Sequence, residues 1–111
     1  TDFYTNSMAT KINSERLKST LVSLKARFET GTITSMDDLT DMYITGLITI
    51  LGMGYDSFIN KCTSPEKFVV EDLVKMSQVF DVDINLIMKV VLSQATKNVK
   101  PKDVSRFLTS K

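Results

Sequence analysis

The chain has 111 residues, of which 42% are hydrophobic and 24% charged, and its net charge is +1. These values are typical of one globular domain and exclude two independent cores. The longest apolar run, Ile44 to Met53, is far shorter than the roughly 20 residues that a membrane-spanning helix needs. A single cysteine excludes an internal disulfide and favours a cytoplasmic protein.

The charges are distributed unevenly along the chain. Residues 1–35 carry five basic and three acidic side chains, residues 36–96 four and nine, and residues 97–111 five and one. DNA-binding domains usually concentrate positive charge around the helix that reads the bases. The acidic middle therefore counts against nucleic acid, although the basic ends could supply phosphate contacts.

The sequence divides into three parts. Met8-Ala9-Thr10 is typical of a natural start, so residues 1–10 are expected to be a tag or a disordered N-terminus. Residues 11–96 carry the helical patterns of one domain. Residues 97–111 are expected to form a basic tail or a short helix.

The first predicted helix begins at a cap formed by Asn13 or Ser14. Gly31 is expected to end it, because glycine readily adopts the left-handed conformation found after a helix. Four apolar side chains recur at helical spacing and share one face, which predicts the buried side of this helix: Leu17, Leu21, Leu24 and Phe28.

A second helical region begins at Ser35, since Asp37 and Asp38 suit the positive end of a helix dipole. The pattern leaves open whether residues 36–51 form one bent helix or two. Thr45 could cap a second, shorter helix, and Gly46 weakens the middle in either case.

A tight turn at Gly52-Met53-Gly54 separates this region from a short helix predicted over Tyr55 to Cys62. Phe58 and Cys62 lie four residues apart and are expected to point inward. Pro65 stops the helix, because proline cannot continue the helical hydrogen bonds.

Two further helices follow the proline. One is predicted from Val70 to Phe80, with Leu73, Met76, Ser77 and Phe80 on its inner face, and the next is capped by Asp83. Pro101 could then open a short helix containing Phe107 and Leu108, which would dock on the body or on a second subunit. Because no strand pattern is present, the chain is predicted to be all-α.

Several short motifs also occur in the order typical of a known family. They are Arg27-Phe28, Gly31-Thr32-Ile33, Leu51-Gly52-Met53, an aromatic-led helix from Tyr55 to Lys61, Pro65-Glu66-Lys67-Phe68, and a segment from Asp72-Leu73 to Val82-Asp83. On these motifs the chain resembles lambda-repressor-like DNA-binding domains from about Leu24 to Ala95, and it looks closest to short bacterial and mobile-element regulators. The resemblance implies a compact bundle of about five short helices that contains a helix-turn-helix.

The chain departs from this family at two positions. Ile48 stands where the family has alanine, which implies that two helices sit further apart or tilt differently. Val69 stands where the family has a serine or threonine cap, and valine has no oxygen to offer.

A helix-turn-helix reads bases with its second helix. Carried over to this chain, the resemblance implies that Asn60 binds adenine, Ser57 binds a base or a phosphate, and Lys61 binds phosphate. Asp56 is expected to cap its helix rather than to face DNA. The full set of candidate DNA-binding residues is Thr45, Gly54, Tyr55, Ser57, Ile59, Asn60 and Lys61.

Two functions remain open. The first is a transcriptional regulator that binds double-stranded DNA as a homodimer, with Ile84 to Ala95 and Phe107-Leu108 as the dimer surface. The second is a protein-interaction module, either an adaptor or an anti-repressor, on the same fold. No enzyme, cofactor or metal site is expected, since Cys62 has no histidine partner and no other catalytic grouping is evident.

Overall fold

The computed structural model describes residues 12–108, so the expectations for residues 1–10 lie outside the described residues. Within this range all regular secondary structure is helical, which confirms the all-α prediction. No helix here has both the length and the apolar character needed to cross a membrane. The six α-helices are α1 (Ser14–Glu29), α2 (Ile44–Leu51), α3 (Tyr55–Thr63), α4 (Val70–Phe80), α5 (Ile84–Asn98) and α6 (Ser105–Leu108), and two 3₁₀ helices cover Met36–Asp41 and Pro65–Lys67.

Helix α1 begins and ends as its sequence indicates. The Asn13 side chain accepts a hydrogen bond from the Arg16 backbone N–H at 3.0 Å. Gly31 has φ +75° and stops the helix in the left-handed conformation. Leu24 and Phe28 are buried, while the first two members of the predicted stripe, Leu17 and Leu21, are half-buried.

The region between residues 36 and 51 forms two helices rather than one bent helix. Ser35 and Asp38 open the 3₁₀ helix, and the Asp38 carboxylate accepts hydrogen bonds from the Thr34 and Ser35 backbone N–H groups. The prediction that Thr45 caps α2 is wrong. Tyr43 occupies the cap position without a side-chain hydrogen bond, and the Thr45 carbonyl inside α2 accepts a hydrogen bond from the Thr49 hydroxyl.

The turn before α3 depends on a left-handed residue. Gly52 has φ +71°, a conformation that costs other residues free energy because of their Cβ atom. The Met53 backbone N–H reaches back to the Ile48 carbonyl at 2.9 Å and closes the end of α2. Helix α3 extends one residue beyond the prediction, to Thr63, and both Phe58 and Cys62 are 0% exposed as expected.

Helices α4 and α5 follow the predicted pattern. The bounds of α4 match the prediction. Val69 forms no side-chain cap, and Asp72 supplies the reciprocal bond of a capping box, because its carboxylate accepts a hydrogen bond from the Val69 backbone N–H at 3.1 Å. Asp83 caps α5 through the Asn85 backbone N–H at 2.8 Å.

The core is one cluster that draws on all of the longer helices. Phe28 of α1 stacks on Phe80 of α4 with ring centroids 6.1 Å apart, and α3 contributes Phe58. The apolar stripe of α5 also lies in this core, since Ile87 and Val91 are buried. It is therefore already covered within the protomer and offers little surface for a dimer.

The C-terminal segment differs from its prediction in two ways. Helix α6 begins at Ser105 rather than Pro101, and the Asp103 carboxylate accepts hydrogen bonds from the Ser105 backbone N–H and hydroxyl. Phe107 and Leu108 are 65% and 77% exposed, so they do not dock on the body.

Gly46 allows a close approach between α2 and its surroundings. A Cβ at this position would lie 2.8 Å from the Tyr43 ring and 3.1 Å from a Leu17 methyl group. The Tyr43 ring is not free to move aside, because its hydroxyl accepts a hydrogen bond from the Asn13 backbone N–H and Arg16 stacks on its face at 4.4 Å.

We therefore expect Gly46→Ser to lower the free energy of unfolding by about 1–3 kcal/mol, the usual range for overpacking. A gain in helix propensity of a few tenths of a kcal/mol would not offset this. Urea denaturation measures the effect. Gly54→Ser is the matched control, because a Cβ there meets nothing within 4 Å and serine caps helices well. Equal stability of the two variants would contradict the close approach.

Candidate functional site

The predicted site residues on α3 differ in exposure according to the face of the helix on which they lie. Asp56, Ser57 and Asn60 are exposed and lie opposite Phe58 and Cys62. Tyr55, at the first position of the helix, is 57% exposed. No packing by residues 12–108 therefore covers the outer face of α3.

The other predicted residues lie at the edges of this face or outside it. Ile59 is half-buried and packs against the core, and Lys61 is half-buried on the opposite flank. Gly54 is exposed at the N-terminus of α3, whereas Thr45 is half-buried on α2. Asp56 does not cap the helix as expected, because Gly54 holds the cap position and no side chain completes the cap.

Lys61 is held by an ion pair that the sequence reasoning missed. Its amino group lies 2.7 Å from the Asp72 carboxylate, and only 23% and 12% of the two side chains are exposed. Burial alone would raise the pKa of Asp72, but the hydrogen bonds from Lys61 and from the Val69 N–H, with the nearby positive charges, lower it below its usual value. The pair joins α3 to the first turn of α4.

The negative charge of Asp72 should contribute to stability in a pH-dependent way, and a variant without this charge should reveal the contribution. Because the pKa of Asp72 is lowered on folding, its contribution is fully present above the unfolded pKa of about 3.9 and is lost as pH falls through the folded value. We expect Asp72→Asn to lower the free energy of unfolding by about 1.5 kcal/mol at neutral pH, the lower end for hydrogen bonds to charged groups. Denaturation between pH 7 and pH 2.5 should show this difference shrinking in acid.

Glu71→Gln is the control for this measurement. Glu71 is the neighbouring residue, carries the same charge and pairs with Lys75 at 3.5 Å, but its side chain is 75% exposed. Exposed pairs contribute little to stability. A Glu71 variant that loses as much stability as the Asp72 variant would contradict the special role of the Lys61 pair.

Two side-chain amides of α5 hold the C-terminal end of α3. The Gln94 amide nitrogen donates to the Cys62 carbonyl at 2.9 Å, and its oxygen accepts from the Met36 backbone N–H at 2.8 Å. Asn98, one turn later, donates to the Thr63 carbonyl at 3.1 Å. Carbonyls at a helix end have no partner within the helix, so these amides satisfy them. The sequence offers one signal for this arrangement, which is the spacing of four residues between the two amides.

The charges around α3 are mostly negative. Asp37 lies 3.3 Å from the Thr63 hydroxyl, Glu66 lies 3.3 Å from the Asn98 amide, and Asp56 is exposed on the outer face. Lys61 is neutralised by its partner. Two of the basic side chains of the C-terminal segment, Lys102 and Arg106, lie over the Phe107 ring of the same segment at 5.6 and 5.5 Å.

The Cys62 thiol is protonated at neutral pH. Burial, with a smaller effect from the charge of Asp37, raises its pKa to about 12. A thiol of this kind is a poor nucleophile, because the thiolate is the reactive form. Its position on the inner face of α3 makes it part of the core.

Comparison of the chain with protein-family models, with curated protein sequences and with solved structures finds no match. The likeness to lambda-repressor-like domains stays a prediction from the sequence motifs.

Proposed function

We propose that the protein is a sequence-specific DNA-binding regulator in which α2, the Gly52 turn and α3 act as a helix-turn-helix. The observation that carries the proposal is the position of α3. Its inner face is buried through Phe58 and Cys62, while Ser57 and Asn60 are exposed on the opposite side. A helix whose inner face is buried and whose outer face is exposed can enter the major groove of DNA.

The exposed residues of α3 would have distinct roles. Asn60 carries an amide that can bind adenine through two hydrogen bonds, and Ser57 can bind a base or a phosphate. Tyr55 and Gly54 would lie where the helix enters the groove. Lys61 would orient α3 through Asp72 rather than bind phosphate, because breaking that pair would leave a largely buried carboxylate without its positively charged partner.

A homodimer is part of this proposal. One short helix contacts too few bases for useful specificity, and a dimer doubles the contacts. The stripe of α5 is used in the core. On α5 and the C-terminal segment, the exposed apolar side chains that could still contact a partner subunit are Leu92, Val99, Val104, Phe107 and Leu108.

Selection from a library of random duplexes at moderate salt tests the proposal. We expect a two-fold symmetric motif that contains adenine in each half-site. Asn60→Ala should reduce the preference for that adenine by about 1–3 kcal/mol.

Asn85→Ala is the matched control for the selection, because Asn85 is also an exposed asparagine but lies at the start of α5. It should leave the preference unchanged. If the wild-type chain enriches no sequence, or if the two variants behave alike, the reading role of α3 is wrong.

A second function, docking of a protein partner, is favoured by an apolar patch on α4. Val69, Val70 and Val74 are 54%, 75% and 38% exposed, and the last two lie one turn apart on the same face. The patch lies beside the Lys61–Asp72 pair, whose charges cancel. Such a surface suits an apolar segment of another protein better than phosphate.

Substituting Val70 and Val74 by serine separates the two functions. A protein-interaction module should lose a stoichiometric partner in these variants, retain it in Asn60→Ala, and retain it after nuclease treatment. Co-purification from the natural source measures this. A partner that is lost on nuclease treatment would contradict the second function and favour the first.

A further inference from the structure

A polar groove of about 320 Å³ lies between α1 and the segment that leads into α2. Helix α1 contributes one wall, and residues 41–43 contribute the other. The side chains that matter here are two arginines, three hydroxyls and one carboxylate, namely Arg16, Arg27, Ser19, Thr20, Ser23 and Asp41.

The spacing on α1 aligns the arginines and hydroxyls on one face. Counted from Arg16, the side chains lie three, four, seven and eleven residues along the helix, at Ser19, Thr20, Ser23 and Arg27. This spacing is typical of residues that share one helical face. At 1.5 Å per residue, the backbone positions of Arg16 and Arg27 are about 16 Å apart along the axis. This distance equals the rise of about five base pairs of duplex DNA.

The two guanidinium groups are available to a ligand. Among the described residues, the basic side chains that form ion pairs are Lys25, Lys61 and Lys75. Neither Arg16 nor Arg27 forms one with a described residue. Arg16 lies over the Tyr43 ring at 4.4 Å, which restricts its side chain. The Tyr43 ring is held in turn by its hydroxyl, which accepts a hydrogen bond from the Asn13 N–H.

We propose that this groove binds the phosphodiester backbone of a DNA duplex, with Arg16 and Arg27 on phosphates and the hydroxyls between them. Guanidinium groups form paired hydrogen bonds with phosphate, and serine and threonine hydroxyls are common phosphate partners. Among the described residues, Asp41 is the single carboxylate that lines the groove, so the two arginines leave an excess of one positive charge there. The inference rests on the proposed DNA-binding function and adds further phosphate contacts to the one that Ser57 of α3 could make.

The groove and α3 both adjoin the 3₁₀ helix Met36–Asp41. Asp41 is the last residue of the 3₁₀ helix, and the same 3₁₀ helix packs against α3. Thr63 of α3 also contacts Asp37 of this helix, with 3.3 Å between hydroxyl and carboxylate oxygens. A single 3₁₀ helix thus separates the candidate reading helix from the candidate phosphate groove.

The salt dependence of binding tests the groove. The full chain is titrated with one duplex of mixed sequence and one selected duplex over a range of salt concentrations. We expect Arg16→Gln and Arg27→Gln each to reduce the slope of log K against log salt by about 0.9, and the double variant by about 1.8. Both duplexes should be affected equally, because phosphate contacts carry no sequence information.

Two further variants control for net charge and for folding. Lys18→Gln removes the same charge from the opposite face of α1 and should leave the slope unchanged. Asp41→Asn removes the opposing carboxylate and should strengthen binding at low salt, an outcome that a folding defect cannot produce. Thermal unfolding of each variant confirms that it is folded.

The outcomes distinguish the groove from the wider function. Wild-type binding whose slope is unaltered in the double variant would overturn the groove and leave DNA binding by α3 intact. Equal losses in the Lys18 and Arg16 variants would also overturn it, because they would show a general charge effect. A wild-type chain that binds no duplex at low salt would overturn both proposals.

Discussion

The burial of Phe58 and Cys62 decides which side of α3 faces the core and which side faces solvent. Both side chains are fully buried in the central cluster. Removing a buried phenylalanine typically costs about 3–5 kcal/mol, a large part of the 5–15 kcal/mol that stabilises a small domain. Helix α3 therefore cannot rotate about its axis without unfolding its surroundings. The exposure of Ser57 and Asn60 follows directly from this constraint.

Helices as short as the nine residues of α3 are marginally stable in water. Contacts beyond its buried face therefore help to hold it in place. At the C-terminal end of α3, Gln94 and Asn98 bind its last carbonyls. On its flank, Lys61 joins it to Asp72. Asp72 has a second role, since the same carboxylate accepts a hydrogen bond from the Val69 backbone N–H at the start of α4. The start of α4 and the orientation of α3 are thus coupled through one side chain.

The sequence predicted those features that depend on neighbouring residues. Helix α4 was predicted with its correct bounds, because its apolar spacing is regular and Asp83 marks the following helix start. Thr45 was assigned wrongly as a cap, since its hydroxyl suits that role locally while the backbone already turns at Tyr43. The 3₁₀ pitch of residues 36–41 has no clear local signature. Contacts such as Gln94 with Met36, which are 58 residues apart, cannot be read from spacing at all.

The net charge of a sequence segment is a poor guide to the charge of the surface that the segment forms in the folded protein. The middle of the chain carries an excess of acidic residues, but Asp38, Asp72 and Asp83 each accept hydrogen bonds from backbone N–H groups at helix starts. Their charges are partly offset by the helix dipoles there. Conversely, Lys61 is neutralised, although it lies on the candidate reading helix. The arginines of α1 combine high charge with the absence of an ion pair among the described residues. The groove that they line therefore keeps a net positive charge among its described residues, whereas Lys61 adds none to the surface of α3.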